Sequence, residues 1–370
     1  MSISKVNFNT KDRPEFYREL NKRVNNYFKE KGISKHANLN MKVKTAFMIL
    51  LYATPFVLML SGVVTGLWPI LGMWFLMGLG MSGIGLSVMH DANHRSYSNN
   101  PKVNNALGFI LNFIGGYHVN WKIQHNVLHH SFTNVEGHDE DIETIIMRQA
   151  PGQERKKLHR FQAFYAPFFY GLMTFYWLVS KDFEQLVRYD KKGLLAGQQL
   201  TYKKALTQVI IYKVLYVAVT LVLPILVVEL PWWQTLLGFL MMQYISGLIL
   251  ALVFQPAHVI NETKFYTPDD NGSVENNWAI HQLLTTANFA KGNRLLSWYV
   301  GGLNYQIEHH LFPNICHVHY RNIAPIVKNT AEEYGIPYHE HKTFTAALKS
   351  HFTLLHRLGT GRYDKQLAAA

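Results

Sequence analysis

The sequence has a single cysteine, Cys316, among its 370 residues. This excludes an internal disulfide and a cysteine-rich zinc or iron–sulfur site. The N-terminal segment is polar and lacks the apolar stretch of a signal peptide, so we expect no cleaved leader. Acidic residues are also few: 24 Asp and Glu stand against 36 Lys and Arg, which gives a net charge of +12. The cations flank long apolar blocks, which favours a lipid bilayer as the partner and no nucleic acid.

Charged residues are almost absent from four long apolar blocks, which run over residues 45–66, 68–89, 206–228 and 232–257. About 20 helical residues cross the hydrocarbon of a bilayer, and each block reaches that length. The links inside the pairs are short, at Leu67-Trp68-Pro69 and at residues 229–233. The blocks therefore predict two transmembrane hairpins. Lys213 interrupts the third block, and we expect it either to snorkel or to face the protein interior.

Lys and Arg are absent from both hairpin links and frequent in the other polar segments. By the positive-inside rule, both termini and the central region should be cytoplasmic. Two aromatic-rich stretches, 103–117 and 161–179, are expected to lie at the membrane surface, with a fifth span as the alternative for either one. The predicted fold is an all-α membrane protein, with four transmembrane helices in two hairpins and a cytoplasmic histidine-rich helical cap. We expect an N-terminal arm (1–43), a membrane domain (44–330) and a C-terminal tail (331–370).

Histidine is the residue in excess, with 19 copies. Residues four apart share a face of an α-helix. His125 should therefore pair with His129, while the adjacent His130 should point elsewhere. His90 and His258 directly follow the second and fourth apolar blocks. The candidates form three clusters and one further histidine: His90 and His94; His125, His129 and His130; His309 and His310; and His258.

These eight histidines exceed the four ligands of one zinc ion, and few carboxylates accompany them. They suit two metal ions, each bound by several imidazoles. Imidazole binds iron, copper, zinc and nickel alike, so the ligand type alone does not select the metal. The remaining eleven histidines are expected to be surface or interfacial groups, or to support the ligands.

The order and spacing of the clusters, HxxxH, HxxxHH and QxxHH, resemble the three histidine boxes of the membrane fatty acid desaturases over about residues 41–320. The resemblance implies two non-haem iron ions. It places Gln306 near the metals, and residues inside the boxes are expected to orient imidazole N–H groups. The implied iron ligands are His90, His94, His125, His129, His130, His258, His309 and His310. The expected orienting residues are Asp91, Asn93, Asn126 and Glu308.

The resemblance implies a fatty acyl desaturase that inserts a cis double bond using O₂ and two external electrons. The third cluster begins with Gln306, where many relatives carry His, and in this it resembles the third box of the front-end desaturases. Many of those carry a fused b-type cytochrome domain with a His-Pro-Gly-Gly motif, which this sequence lacks. The implied partners are an acyl chain linked to CoA, carrier protein or phospholipid, and a donor such as ferredoxin or a separate b-type cytochrome. The expected location is a bacterial inner membrane.

Two alternatives stay open. A hydroxylase or ketolase of the same histidine-rich membrane class would share this spacing, although the QxxHH form favours desaturation. A haem-binding electron-transfer protein is more distant, because its axial histidines should lie within the spans. A membrane zinc protease would need HExxH, which is absent.

Overall fold

The structure, a computed structural model, describes residues 6–367. The first five residues of the predicted arm and the last three of the predicted tail lie outside this range. The described chain forms two compact units. The membrane unit comprises residues 39–123 and 168–251, and the histidine unit comprises residues 6–38, 124–167 and 252–367. The arm, domain and tail boundaries stay predictions.

Helices account for most of the described residues, as predicted. The α-helices are α1 (Pro14–Lys31), α2 (Leu39–Leu60), α3 (Leu67–Gly83), α4 (Met89–Asn93), α5 (Pro101–Phe109), α6 (His118–Trp121), α7 (His130–Phe132), α8 (Gln162–Gly171), α9 (Met173–Tyr176), α10 (Asp182–Lys191), α11 (Tyr202–Val217), α12 (Leu223–Val227), α13 (Trp232–His258), α14 (Trp278–Thr285), α15 (Arg294–Tyr299), α16 (Gln306–Leu311), α17 (Tyr320–Glu333), α18 (Phe344–Thr360) and α19 (Arg362–Leu367). Four π-helical segments (Ile84–Val88, Lys122–His129, Trp177–Lys181 and Ala218–Val222) and four 3₁₀ segments (Ile110–Ile114, Lys157–Phe161, Ala196–Gln198 and His317–His319) continue or join them.

Strands are few and very short in the described residues. β1 (Asn7–Phe8) pairs in parallel with β2 (Ser273–Val274). β3 (Ala287–Phe289) pairs in parallel with β4 (His339–His341). The second pair ties a C-terminal strand to the chain that precedes the third histidine cluster.

Four continuous helical stretches are long and apolar enough to cross a membrane, which confirms the four predicted spans. Many of their large apolar side chains are exposed, including Leu50, Val214 and Leu226. Such apolar helices are stable where lipid covers them, since every backbone group is bonded within the helix. The spans are Leu39–Leu60, Leu67–Asn93, Tyr202–Val227 and Trp232–His258.

The first hairpin turns earlier than predicted. Its link lies at residues 61–66, because α2 ends at Leu60 and α3 already begins at Leu67. Gly62 and Gly66 take positive φ angles of 70° and 82°, a conformation that glycine adopts at little cost. Pro69, which was predicted in the link, lies in the first turn of α3. Backbone N–H groups in the first turn of a helix have no carbonyl partner within the helix, so a proline there removes no hydrogen bond.

Helices α2 and α3 pack closely against each other at Gly80. A Cβ atom at this position would stand 2.6 Å from the backbone nitrogen of Tyr52. Only the absence of a side chain permits this contact between two helix backbones.

Lys213 faces the interior of the membrane unit, one of the two orientations predicted. Its Nζ donates to Oδ2 of Asp182 (2.5 Å) and to the carbonyl oxygens of Gly115 (2.7 Å) and Trp177 (2.8 Å). Asn120 donates to the other carboxylate oxygen at 3.1 Å. The buried cation is therefore paired, as a charge removed from water requires.

The core of the histidine unit joins helices that are distant in sequence. Phe16 and Leu20 of α1 pack in one cluster with Leu283 of α14, Ile307 of α16 and Ile323 of α17, and all five are fully buried. This packing buries α16, which carries the third histidine cluster.

Candidate metal centre

His129 is held by carboxylates in the histidine unit. Its Nδ1 lies 3.1 Å from both oxygens of Asp139 and 3.5 Å from Asp141. The backbone N–H groups of Asn134 and Asp141 also donate to Asp139, at 2.9 and 3.0 Å. Burial by itself lowers the pKa of His129, but Asp139 and Asp141 more than offset this, so the pKa is raised. With Nδ1–H donating to Asp139, Nε2 is the atom available to a metal.

Three other predicted ligands are held through Nδ1 in the same way. A bond at Nδ1 fixes the orientation of the ring and turns Nε2 away from the partner, and where the partner is a carbonyl oxygen it also fixes the tautomer. The partners are the Thr285 carbonyl for His258 (3.3 Å), the Tyr320 hydroxyl for His309 (3.1 Å) and the Gln282 Oε1 for His310 (2.8 Å).

The Nε2 atoms of His125, His130 and His309 converge. His130 Nε2 lies 2.9 Å from His309 Nε2 and 3.2 Å from His125 Nε2. Imidazole nitrogens bound about 2.0–2.1 Å from a tetrahedral metal stand roughly 3.3 Å apart. The observed spacings are close to that value.

His129, His258 and His310 form a second group. Each offers a ring nitrogen within 4.8 Å of the others, and all three residues are buried. Among the described residues, Nε2 of His129 and Nε2 of His258 have no hydrogen-bond partner although both are buried. A buried polar atom without a partner is costly, and a bound cation would satisfy both. The residues therefore fit a metal centre.

The orientation predicted for His130 is wrong. Residues Lys122–His129 form a π-helix rather than an α-helix. A π-helix bonds residue i to i+5, which brings His130 rather than His129 close to His125 at Nε2. His129 stays stacked on His125, with ring centroids 5.3 Å apart. The wider helical turn therefore lets one short segment contribute three imidazoles.

His90 and His94 lie in the membrane unit, at the end of the span Leu67–Asn93. Their ring centroids are 4.8 Å apart, so the predicted pairing four residues apart is confirmed. Trp121 packs edge-on against both rings, at 5.5 and 5.7 Å. This contact orients the pair.

The residues expected to orient imidazoles have varied surroundings. Asp91 is buried, with Oδ1 3.8 Å from Nδ1 of His90. The amide nitrogen of Asn93 is 3.4 Å from the Gly108 carbonyl oxygen.

In the histidine unit, Gln306 is buried close to the imidazole of His258. Asn126 is partly buried. Glu308 is fully buried, and both its oxygens accept hydrogen bonds from residues other than histidines. Burial raises the pKa of Glu308 in spite of these bonds. The orienting role stays a prediction for each of these residues.

Sequence reasoning missed the residues that hold Nδ1. For Asp139 a signal existed, since the acidic stretch of residues 139–141 follows the second cluster closely. Tyr320 and Gln282 carry no such signal, because one follows its histidine by 11 residues and the other precedes its histidine by 28.

Four apolar helices of spanning length and buried clusters of imidazoles define an integral membrane protein with a histidine-rich site that fits a metal centre. The chain belongs to the fatty acid desaturase family, whose model matches residues 65–342. It is therefore an oxidoreductase of that family.

The chain is similar to acyl-lipid desaturases over nearly all of its length. It is 36% identical over 349 residues to the sn-1 linoleoyl-lipid 6-desaturase of Synechocystis sp., covering 93% of this chain and 95% of that protein. It is 36% identical over 360 residues to the enzyme of the same name from Arthrospira platensis, covering 95% of each. It is 34% identical to the acyl-lipid (8-3)-desaturase of Physcomitrium patens, covering 93% of this chain and 72% of that protein.

Proposed function

We propose that this enzyme is a front-end acyl-lipid desaturase that introduces a cis double bond between an existing double bond and the carboxyl end. The similarity to enzymes named linoleoyl-lipid 6-desaturases, over 93% and 95% of this chain, supports a linoleoyl group of a lipid as substrate and carbon 6 as the position. The QxxHH form around Gln306 agrees with this assignment.

The metals of this proposal are two non-haem iron ions. Their ligands would be the six imidazoles of the histidine unit together with His90 and His94. The convergence of buried Nε2 atoms in the histidine unit is the observation that carries the proposal. Bound iron supplies the oxidising power that unactivated CH₂ groups require, which acid–base side chains lack. The overall change is –CH₂–CH₂– plus O₂, two electrons and two protons to –CH=CH– and two H₂O.

The protein's part is to fix the ligands and to exclude water. Acceptor oxygens at Nδ1 of His129, His258 and His310 require the Nδ1–H tautomer, so the Nε2 lone pairs of these three imidazoles point in set directions before any metal arrives. Asp139 makes His129 a stronger base, since a carboxylate that accepts the Nδ1 proton stabilises positive charge on the ring. Burial of His129, His258 and His310 keeps bulk water away from this group.

The remaining parts of the proposal follow from charge and resemblance. Both termini and the histidine unit face the cytoplasm, because Lys and Arg concentrate in the segments outside the hairpin links. A bacterial inner membrane is the expected location. A ferredoxin or a separate b-type cytochrome supplies the two electrons. An acyl chain on CoA or carrier protein is the alternative to a lipid-linked substrate.

The first test is expression in a bacterial host supplied with linoleate, followed by gas chromatography–mass spectrometry of the lipids. We expect a new double bond at carbon 6 with wild type. It should be absent with His129→Ala and present with His356→Ala, which changes an exposed histidine outside the clusters. A bond at another position would refute the proposed regiospecificity, and a hydroxyl or keto product would favour the hydroxylase alternative.

A further inference from the structure

Glu308 is a buried acid that the ligand set leaves without a role. It has no exposed surface and lies directly before His309 in α16. Tyr338 donates to its Oε1 at 2.8 Å, and Asn288 donates to its Oε2 at 2.8 Å. Both carboxylate oxygens are thus bonded, as a buried carboxylate requires.

Asn288 joins the same group to the backbone of α16. Its Oδ1 accepts from the N–H of Ile307 at 3.0 Å, in the first turn of the helix. Its amide nitrogen donates to Glu308 and also to the Tyr338 hydroxyl, at 2.7 Å. Asn288 lies in β3 and Tyr338 directly precedes β4, the strand that pairs with β3. One side chain therefore bonds the helix, its acid and the C-terminal segment.

Helix α16 needs such support because it spans only six residues, Gln306–Leu311. A helix this short has few internal hydrogen bonds, so its rotation is set by its surroundings. It presents both His309 and His310, whose Nε2 atoms must hold fixed directions to bind a metal. Successive residues of a helix are about 100° apart, so a bond at Glu308 fixes the faces that carry its two neighbours.

We propose that Glu308, Asn288 and Tyr338 form a clamp that sets the rotation of α16 and thereby aims His309 and His310 at the metals. The three are positioning residues and do not touch the reacting atoms. The proposal rests on the proposed function for its metal. It gives Tyr338, a residue of the predicted C-terminal tail that lies outside the histidine boxes, a role in the catalytic site.

The test compares Tyr338→Phe with Tyr334→Phe in the purified full-length protein loaded with ⁵⁷Fe. Tyr334 packs edge-on against Phe16 in the same unit and is not part of the clamp. Loss of iron to a chelator, the Mössbauer spectrum and thermal unfolding are measured for each variant. We expect Tyr338→Phe to lose iron about 10- to 100-fold faster than wild type. Its Mössbauer parameters should shift, while Tyr334→Phe should match wild type in both readouts.

A second variant separates aiming from general stability. Tyr338→Phe leaves a buried carboxylate short of one donor, and Glu308→Gln removes that charge. The double variant relieves that uncompensated charge but still lacks the Tyr338 bond, so its thermal stability should recover while its iron is still lost faster than from wild type. A Tyr338→Phe protein that unfolds at lower temperature but keeps the wild-type iron signature and retention would overturn the proposal. Wild-type iron retention in the double variant would also overturn it, because the loss would then come from the buried charge alone. Wild-type protein that binds no iron would instead refute the proposed function.

Discussion

Replacing Asp139 by Asn tests how much the orientation of one imidazole contributes. The carboxylate accepts from three donors: Nδ1 of His129 and the backbone nitrogens of Asn134 and Asp141. Asn offers one acceptor oxygen and an NH₂ group, so at least one of these buried donors would face another donor. Loss of one hydrogen bond to a charged acceptor costs about 1.5–3 kcal/mol. Because a factor of ten corresponds to about 1.4 kcal/mol, the iron affinity should fall about 10- to 100-fold.

Competition with a chelator, read by elemental analysis of the purified protein, measures this loss. Asp269→Asn is the matched control. Asp269 also accepts from two backbone N–H groups, of Asn271 and Ser273, but it lies exposed in a turn without a histidine. We expect the control to retain iron like wild type. Equal retention in Asp139→Asn and Asp269→Asn would refute the view that Asp139 fixes the ligand.

Three further variants test other parts of the structure. Lys213→Met should lower the unfolding temperature of the solubilised protein, because leaving the buried Asp182 without its partner costs about 3–5 kcal/mol. Adding Asp182→Asn should restore part of the lost stability. A Lys213→Met protein as stable as wild type would contradict this prediction. Gly80→Ala should destabilise the protein by about 1–3 kcal/mol. Gly72→Ala should not, because a Cβ atom added there meets nothing within 4 Å. Equal unfolding temperatures of the two variants would contradict this prediction. Burial lowers the pKa of His351 to about 4 in the folded protein, so its contribution is complete above the unfolded value near 6.5 and is lost as the pH falls toward 4. As the pH falls from about 7.5 to 5, the wild-type protein should lose about 2 kcal/mol of stability through His351. The His351→Gln variant should lose less stability than wild type over that range. An equal loss in both proteins would argue against the shifted pKa.

The sequence was sufficient to predict the spans because their signal is local. Each of the four helices is a run of apolar residues of the required length, and the predicted limits at Trp232 and Val228 lie within one residue of the observed ones. The first link was misplaced because Trp68 and Pro69 resemble a turn. The positive φ angles of Gly62 and Gly66 set the position of the link, and the φ angle of a glycine cannot be predicted from the sequence.

The ligand candidates were predictable from spacing, but their geometry was not. A spacing of four assumes an α-helix, and the π-helix over Lys122–His129 changes which rings converge. The residues behind the ligands were harder still. Thr285, Tyr320 and Gln282 reach the site through tertiary packing, so no short motif connects them to the histidines they contact.

The metal content of the purified protein tests the central claim most directly. Wild-type protein, isolated under conditions that avoid chelators, should contain two iron ions per chain and no haem absorption. His129→Ala should bind less iron, and His356→Ala should match wild type. Bound haem, another metal in place of iron, or no metal at all in folded protein would contradict a histidine-bound di-iron centre.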